Sequence, residues 1–76
     1  MAAFERRELE AIPDSIVEAE ARVEALQERL ADPATYQDDG DVVAALRSEL
    51  GDAEAEVDRL TARWEELEER QAASQG

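Results

Sequence analysis

The chain has 76 residues, a formal net charge of −13, and 43% hydrophobic residues, of which few are aromatic. A chain this short buries too little apolar surface for a large globular core, and its hydrophobic content argues against simple disorder. It contains neither cysteine nor histidine, which excludes disulfide scaffolds and thiolate metal sites and removes the commonest general base.

No apolar run approaches the roughly 20 residues that a membrane-spanning helix needs. The opening MAAFERRELE lacks the apolar region of a signal peptide, so we expect a cytoplasmic protein.

The first predicted element is a helical arm over about residues 5–31. Its apolar residues recur at steps that alternate between three and four, the stripe that one helix of a coiled coil shows to another. They are Leu9, Ile12, Ile16, Ala19, Val23, Leu26 and Leu30. Pro13 lies inside this arm and removes one backbone hydrogen bond. We therefore expect a short leading helix over residues 4–12 that ends before a new helix starts at Pro13, with a kink in one helix as the alternative.

A stretch rich in helix-breaking residues follows, over about residues 32–40, and we interpret it as the tip of a hairpin. Asp32 and Pro33 are typical of an N-cap followed by the first helical residue, so a short 3₁₀ or α turn is expected over residues 33–37. Tyr36 is expected to fold back over the end of the apolar stripe. Gly40 suits a left-handed backbone conformation. One of its two neighbours, Asp39 or Asp41, is expected to cap the next helix.

A second helical arm is predicted over about residues 41–72, and the tail QAASQG (71–76) is expected to fray. Its apolar residues show the same alternation of steps. They are Val43, Leu46, Leu50, Ala53, Val57, Leu60, Trp64 and Leu67. Trp64 stands in this stripe, so a core position is favoured over a role as a partner anchor.

The two stripes, together called the seam, are mirror images about the tip. Residues whose numbers sum to 76 pair in seven filled layers, from Leu9 opposite Leu67 to Leu30 opposite Leu46. A parallel homodimer could use the same stripes but would not need this symmetry. The sequence therefore predicts an all-α fold, an antiparallel two-helix coiled-coil hairpin that is monomeric in isolation.

Charged residues beside the seam offer a second indication of its register. On each helix, the residue one position C-terminal of a seam residue is expected to meet its counterpart on the other helix, along one edge of the seam. On the other edge Glu20 faces Glu54, which places two like charges together. The opposite-charge pairs expected on the first edge are Arg22 with Glu56, Arg29 with Glu49, and Glu8 with Arg70.

The sequence contains no recognisable catalytic or cofactor-binding pattern. Without lysine it cannot hold a Walker A motif. The acidic run at residues 38–41 lacks the ligand spacing of a calcium loop and is better explained by turn formation, so no metal site is expected. The candidate binding residues are four arginines near the open end of the hairpin, which could contact nucleic acid: Arg6, Arg7, Arg63 and Arg70.

Three stretches, ERRELEAIPDSI (5–16), ALQERLADPATYQD (25–38) and RLTARWEELEE (59–69), stand in an order that resembles a known family. Together they are similar to the C-terminal coiled-coil domain of ABC-F ATPases of the Uup type. The resemblance implies a domain of a longer protein whose two ATP-binding cassettes, outside this chain, carry ATP and magnesium. It also implies ribosome-linked activity, and for this hairpin an association with DNA.

Three functions stay open on the sequence alone. The hairpin could be an accessory arm that contacts DNA or the ribosome, or a structural spacer that docks on and regulates its own ATPase cassettes. The net charge favours the spacer, because a strongly acidic surface repels phosphates. Domain 1 of class I peptide chain release factors, another acidic helical hairpin with a DP tip, is the third alternative.

Overall fold

The protein is a helical hairpin in a computed structural model that describes residues 1–37 and 40–75. Helix α1 spans Ala3–Ala31, a 3₁₀ turn spans Pro33–Gln37, and helix α2 spans Gly40–Gln75. The molecule is a rod with extents of 57 × 16 × 15 Å. The predicted all-α hairpin and the 3₁₀ turn at its tip are therefore confirmed.

Helix α1 runs through Pro13 without a break, so the expected separate leading helix is wrong. A proline removes its own backbone donor and crowds the preceding turn, but the neighbouring helical hydrogen bonds can persist. The two seam residues before it, Leu9 and Ile12, are buried together with Leu67 of α2. This packing holds the first turns of α1 in line with the rest of the helix.

The start and end of α2 also differ from expectation. Gly40 is the first residue of α2 and has no positive φ, so the expected left-handed conformation is wrong. Asp41 lies in the first turn, where a carboxylate suits the positive end of the helix dipole, while Asp39 lies outside the described residues. The helix continues to Gln75, three residues beyond the expected end of the second arm, and the Met1 ammonium donates to Ser74 Oγ at 3.3 Å.

The seam consists of two rows that differ in burial. We define the core row as seven residues that are all buried: Ile12, Ala19, Leu26, Leu46, Ala53, Leu60 and Leu67. We define the outer row as the residues that alternate with them and keep more exposure: Ile16, Val23, Leu30, Val43, Leu50, Val57 and Trp64. Leu9 shares the spacing of the outer row but is buried at the open end. Trp64, expected in the core, keeps 36% of its surface exposed and lies at the margin of the seam.

Apolar packing at the open end agrees with the predicted register. Leu9 and Leu67, whose numbers sum to the expected 76, are buried in one cluster. The interhelical ion pairs do not follow this sum, since the numbers of Glu5 and Arg70 add to 75 and those of Glu8 and Arg63 add to 71. The expected pairing of Glu8 with Arg70 is wrong, because Arg70 binds Glu5 and Glu66 instead. Neither of the other two expected pairs, Arg22 with Glu56 and Arg29 with Glu49, forms a salt bridge among the described residues.

Candidate interaction surfaces

The outer row opens onto one long face of the hairpin. In an antiparallel pair of helices, residues that occupy the same heptad position on each helix lie on the same face of the pair. Val23 of α1 and Val57 of α2, both in the outer row, accordingly line one open groove of about 490 Å³. We call this the acidic groove, and its remaining lining residues are Glu20, Glu24, Gln27, Glu54 and Asp58.

The groove lies where the predicted layers contain the smallest side chains. Ala19 is expected opposite Val57, and Ala53 opposite Val23, so neither layer brings a leucine to this stretch of the seam. Both alanines are buried, while both valines are only half-buried. Because the side chains of these layers are small, they do not fill the space between the helices up to the surface. The two valines therefore form the floor of the groove.

The rim of the acidic groove carries charge of one sign. Four carboxylates, from Glu20, Glu24, Glu54 and Asp58, surround the two valines, and the remaining lining side chain is the neutral Gln27. No arginine lines it. The like-charge pair of Glu20 and Glu54, expected from the sequence, is thus part of a larger cluster of carboxylates around a half-buried apolar floor.

The interhelical ion pairs identified in the structure lie at the open end of the hairpin. Arg63 donates two hydrogen bonds to Glu8, at 2.8 and 3.0 Å, across the two helices. These hydrogen bonds hold the pKa of the Glu8 carboxyl below its ordinary value and raise the pKa of Arg63 further above neutral pH. Both groups are therefore charged at pH 7, and the pair fixes α1 against α2.

A second ion pair ties the first turn of α1 to α2. Glu5 accepts hydrogen bonds from Arg70 and from the backbone N–H of Ala2, and its side chain is only 12% exposed. The bond from Arg70, and next the one from Ala2, lower the pKa of Glu5. Arg70 also contacts Glu66 at 2.9 Å, so this guanidinium is shared by two carboxylates.

The four arginines proposed for nucleic-acid contact are thus in two different states. Arg63 and Arg70 are engaged by carboxylates. Arg6 and Arg7 are exposed and form no ion pair with any described residue. The same two chain segments, 1–10 and 60–75, also carry seven acidic residues: Glu5, Glu8, Glu10, Glu65, Glu66, Glu68 and Glu69. These segments do not form a continuous basic surface.

The tip is organised by side chains that cap the end of α1. The Thr35 hydroxyl donates to the Arg29 carbonyl at 2.5 Å, and the Tyr36 hydroxyl donates to the Leu30 carbonyl at 2.6 Å. These carbonyls belong to the last turn of α1, which has no further helical donors. The expected return of Tyr36 toward Leu30 is observed, and Asp32 caps the 3₁₀ turn by accepting from the Ala34 N–H at 3.0 Å.

The role of Thr35 was not anticipated from the sequence. It is a buried polar residue among the described positions, and its hydroxyl is satisfied by the Arg29 carbonyl. The signal that could have identified it is its place two residues after Pro33, where a short hydroxyl side chain can reach back to the preceding helix.

Among residues 1–37 and 40–75, no group of three or more carboxylates is arranged to hold a metal ion. Neither helix in these ranges is long and apolar enough to cross a membrane.

Comparison with known proteins gives a family match over most of the chain. The model of a family described as "ABC transporter C-terminal domain" matches residues 2–69. No solved structure matches the chain.

Curated relatives match over nearly the same length. The chain is 42% identical over 72 residues to the ATP-binding protein Uup-like of Haemophilus influenzae, which covers 95% of the chain and 16% of that protein. It is also 42% identical, again over 95% of its length, to the ATP-binding protein Uup of the same organism, of which it covers 11%. The ATP-binding protein Uup of Escherichia coli K12 is 33% identical over 83% of the chain, and 10% of that protein is covered. The chain thus spans a small part of each relative.

Proposed function

Because this chain belongs to the ABC transporter C-terminal domain family, we propose that it is a non-catalytic accessory hairpin of an ABC-F ATPase of the Uup type. The family match also removes the alternative of a release-factor domain. The three relatives are named as ATP-binding proteins, and the chain corresponds to only 10–16% of their lengths. ATP and magnesium would bind in cassettes outside this chain, and the hairpin itself would need no cofactor.

The chemistry of the hairpin supports a non-catalytic role. The chain lacks cysteine, histidine and lysine, so the commonest general base and two frequent nucleophiles are missing. Its carboxylates with perturbed pKa values, Glu5, Glu8 and Glu56, are each paired with arginine, and each pKa is lowered. A lowered carboxyl pKa suits a structural ion pair and opposes proton transfer near neutral pH.

The partner we propose is protein, namely the ATPase cassettes of the same parent. The single observation that carries this proposal is the outer row, an apolar stripe left half-exposed along one face of a two-helix rod. Such stripes on paired helices are usually covered by another packed element. The net charge of −13 would repel a nucleic-acid backbone while leaving a protein contact possible.

A second candidate function, contact with DNA or the ribosome, is favoured by Arg6 and Arg7. Both side chains are exposed and free of ion pairs to described residues, so they can reach a phosphate. Arg63 and Arg70 would first have to leave Glu8, Glu66 and Glu5.

Two binding titrations of the 76-residue chain separate these functions. The first uses the parent ATPase lacking the hairpin. The second uses a 20-base-pair DNA duplex at increasing salt. The proposal expects binding to the truncated ATPase, a change in its ATP hydrolysis, and no hydrolysis by the hairpin alone. Tight DNA binding that weakens steeply with salt and is lost in Arg6→Gln/Arg7→Gln, without binding to the ATPase, would contradict it.

A further inference from the structure

The face that carries the acidic groove combines two properties that neither helix has alone. Val23 and Val57 come from different helices and form one apolar floor, and the outer row continues this floor toward both ends of the rod. A groove between two antiparallel helices runs in the direction that a third helix takes in helix-in-groove recognition. The apolar surface therefore indicates the shape of a partner.

The rim of the groove indicates the charge of that partner. Glu20 and Glu54 lie on opposite helices, as do Glu24 and Asp58, so carboxylates flank the valine floor from both sides. Within the described chain, the arginines that form ion pairs are Arg59, Arg63 and Arg70, which bind Glu56, Glu8, Glu66 and Glu5 and not the rim. The carboxylates of the rim are available for cations supplied by another molecule.

We propose that the acidic groove is the docking site for a basic amphipathic helix of a protein partner. The apolar stripe of that helix would lie on Val23 and Val57, and lysines or arginines beside its stripe would pair with Glu20, Glu24, Glu54 and Asp58. Long basic side chains suit this arrangement, because their aliphatic stems cover apolar surface while their charged ends reach the rim. The proposal rests on the accessory-hairpin function and adds the chemical class of the partner segment.

A second copy of this chain fits the groove poorly. Each hairpin carries 21 acidic residues against eight arginines, and two such faces would bring their carboxylate rims together. The same argument excludes a duplex of DNA or RNA from this face, since phosphates would meet four carboxylates. A basic helix is the occupant whose charge complements the rim and whose shape matches the floor.

The test uses a synthetic peptide of about 18 residues as the probe, with leucines at helical three-four spacing and arginines on both sides of them. Binding to the 76-residue chain is measured by calorimetry, and the methyl signals of Val23 and Val57 are followed by NMR. We expect saturable one-to-one binding that shifts both methyl signals. A peptide with the same arginines but with serine in place of leucine is expected to bind at least about ten-fold more weakly.

Two matched variants assign the binding to the groove. Each neutralises four exposed carboxylates and leaves the seam intact, so both are expected to fold, which circular dichroism verifies. We expect the groove variant to lose at least about ten-fold in affinity, and the control variant to lose less than about three-fold. The groove variant is Glu20→Gln/Glu24→Gln/Glu54→Gln/Asp58→Asn, and the control variant is Glu18→Gln/Glu28→Gln/Asp52→Asn/Glu69→Gln.

Equal loss in both variants, or equal binding of the serine peptide, would overturn the proposal, because binding would then follow the diffuse charge of the whole rod. Dimerisation of the free chain through Val23 and Val57, seen by sedimentation, would overturn it as well. The result is independent of the test of the proposed function. If the groove variant still binds and regulates the truncated ATPase like the unmodified chain, the accessory function stands while the groove is not its docking site.

Discussion

Leu67 of α2 packs with Leu9 of α1 in a buried cluster that joins the two ends of the chain, and Leu67 is fully buried. Truncation of a fully buried leucine removes apolar contacts and leaves a cavity that a two-helix rod has few other side chains to fill. The open end of the hairpin is therefore expected to depend on this one side chain.

We predict that Leu67→Ala lowers the free energy of unfolding by about 2–4 kcal/mol, measured by urea denaturation with circular dichroism. The control is Val17→Ala, at a position on α1 that is 65% exposed, where a change of less than about 0.5 kcal/mol is expected. Similar losses for both variants would mean that Leu67 is not a core residue.

The tip makes a prediction about two hydroxyl groups. Thr35→Val removes the donor to the Arg29 carbonyl beneath a buried side chain and is expected to cost about 1–2 kcal/mol. Tyr36→Phe removes the donor to the Leu30 carbonyl at an exposed position, where water can replace it, and is expected to cost less than about 0.5 kcal/mol. Denaturant titration of both variants checks the order, and a larger loss in Tyr36→Phe would contradict it.

The Glu8–Arg63 pair makes a prediction about pH. Its hydrogen bonds lower the pKa of Glu8 in the folded state, so the pair contributes stability above the unfolded carboxyl pKa of about 4.3. This contribution is lost as the pH falls through the still lower folded pKa. In a double-mutant cycle with Glu8→Gln and Arg63→Gln, we expect favourable coupling at pH 7 that disappears toward pH 2. Coupling that is unchanged at low pH would show that the charge of Glu8 is not involved.

Pro13 offers a prediction with the opposite sign. It lies exposed inside α1, where it removes a backbone donor and crowds the preceding turn. Pro13→Ala is expected to raise the free energy of unfolding by about 1–2 kcal/mol, after allowance for the greater freedom of the unfolded alanine chain. Thermal unfolding followed by circular dichroism measures this change. A lower melting temperature would indicate that proline favours the packing of Leu9 and Ile12.

The three-four spacing of apolar residues was sufficient to predict two helices, their antiparallel pairing and a tip near Pro33. Spacing alone does not distinguish the core row from the outer row, because both rows recur every seven residues. Which of the two rows is buried depends on how each helix is rotated about its own axis relative to the other helix. The exposure of Trp64 and the groove between Val23 and Val57 therefore became visible only in three dimensions.

Two other differences have local physical causes. The charge pairs differ from expectation because an arginine side chain is long enough to reach several carboxylates. Arg63, for example, contacts both Glu8 and Glu66. The break expected at Pro13 did not occur because packing on Leu67 outweighs one lost hydrogen bond. The sequence rules for proline describe a helix in isolation, whereas α1 is paired along most of its length.

The Met1–Ser74 hydrogen bond places the beginning and end of the described chain at one pole of a rod 57 Å long, with the Thr35–Tyr36 turn at the other pole. A rod held at one pole acts as a lever. A hinge motion that tilts the base by about ten degrees would carry the turn of this rod sideways by about 10 Å. Small rearrangements of a neighbouring body at the base would thus be magnified at the far tip.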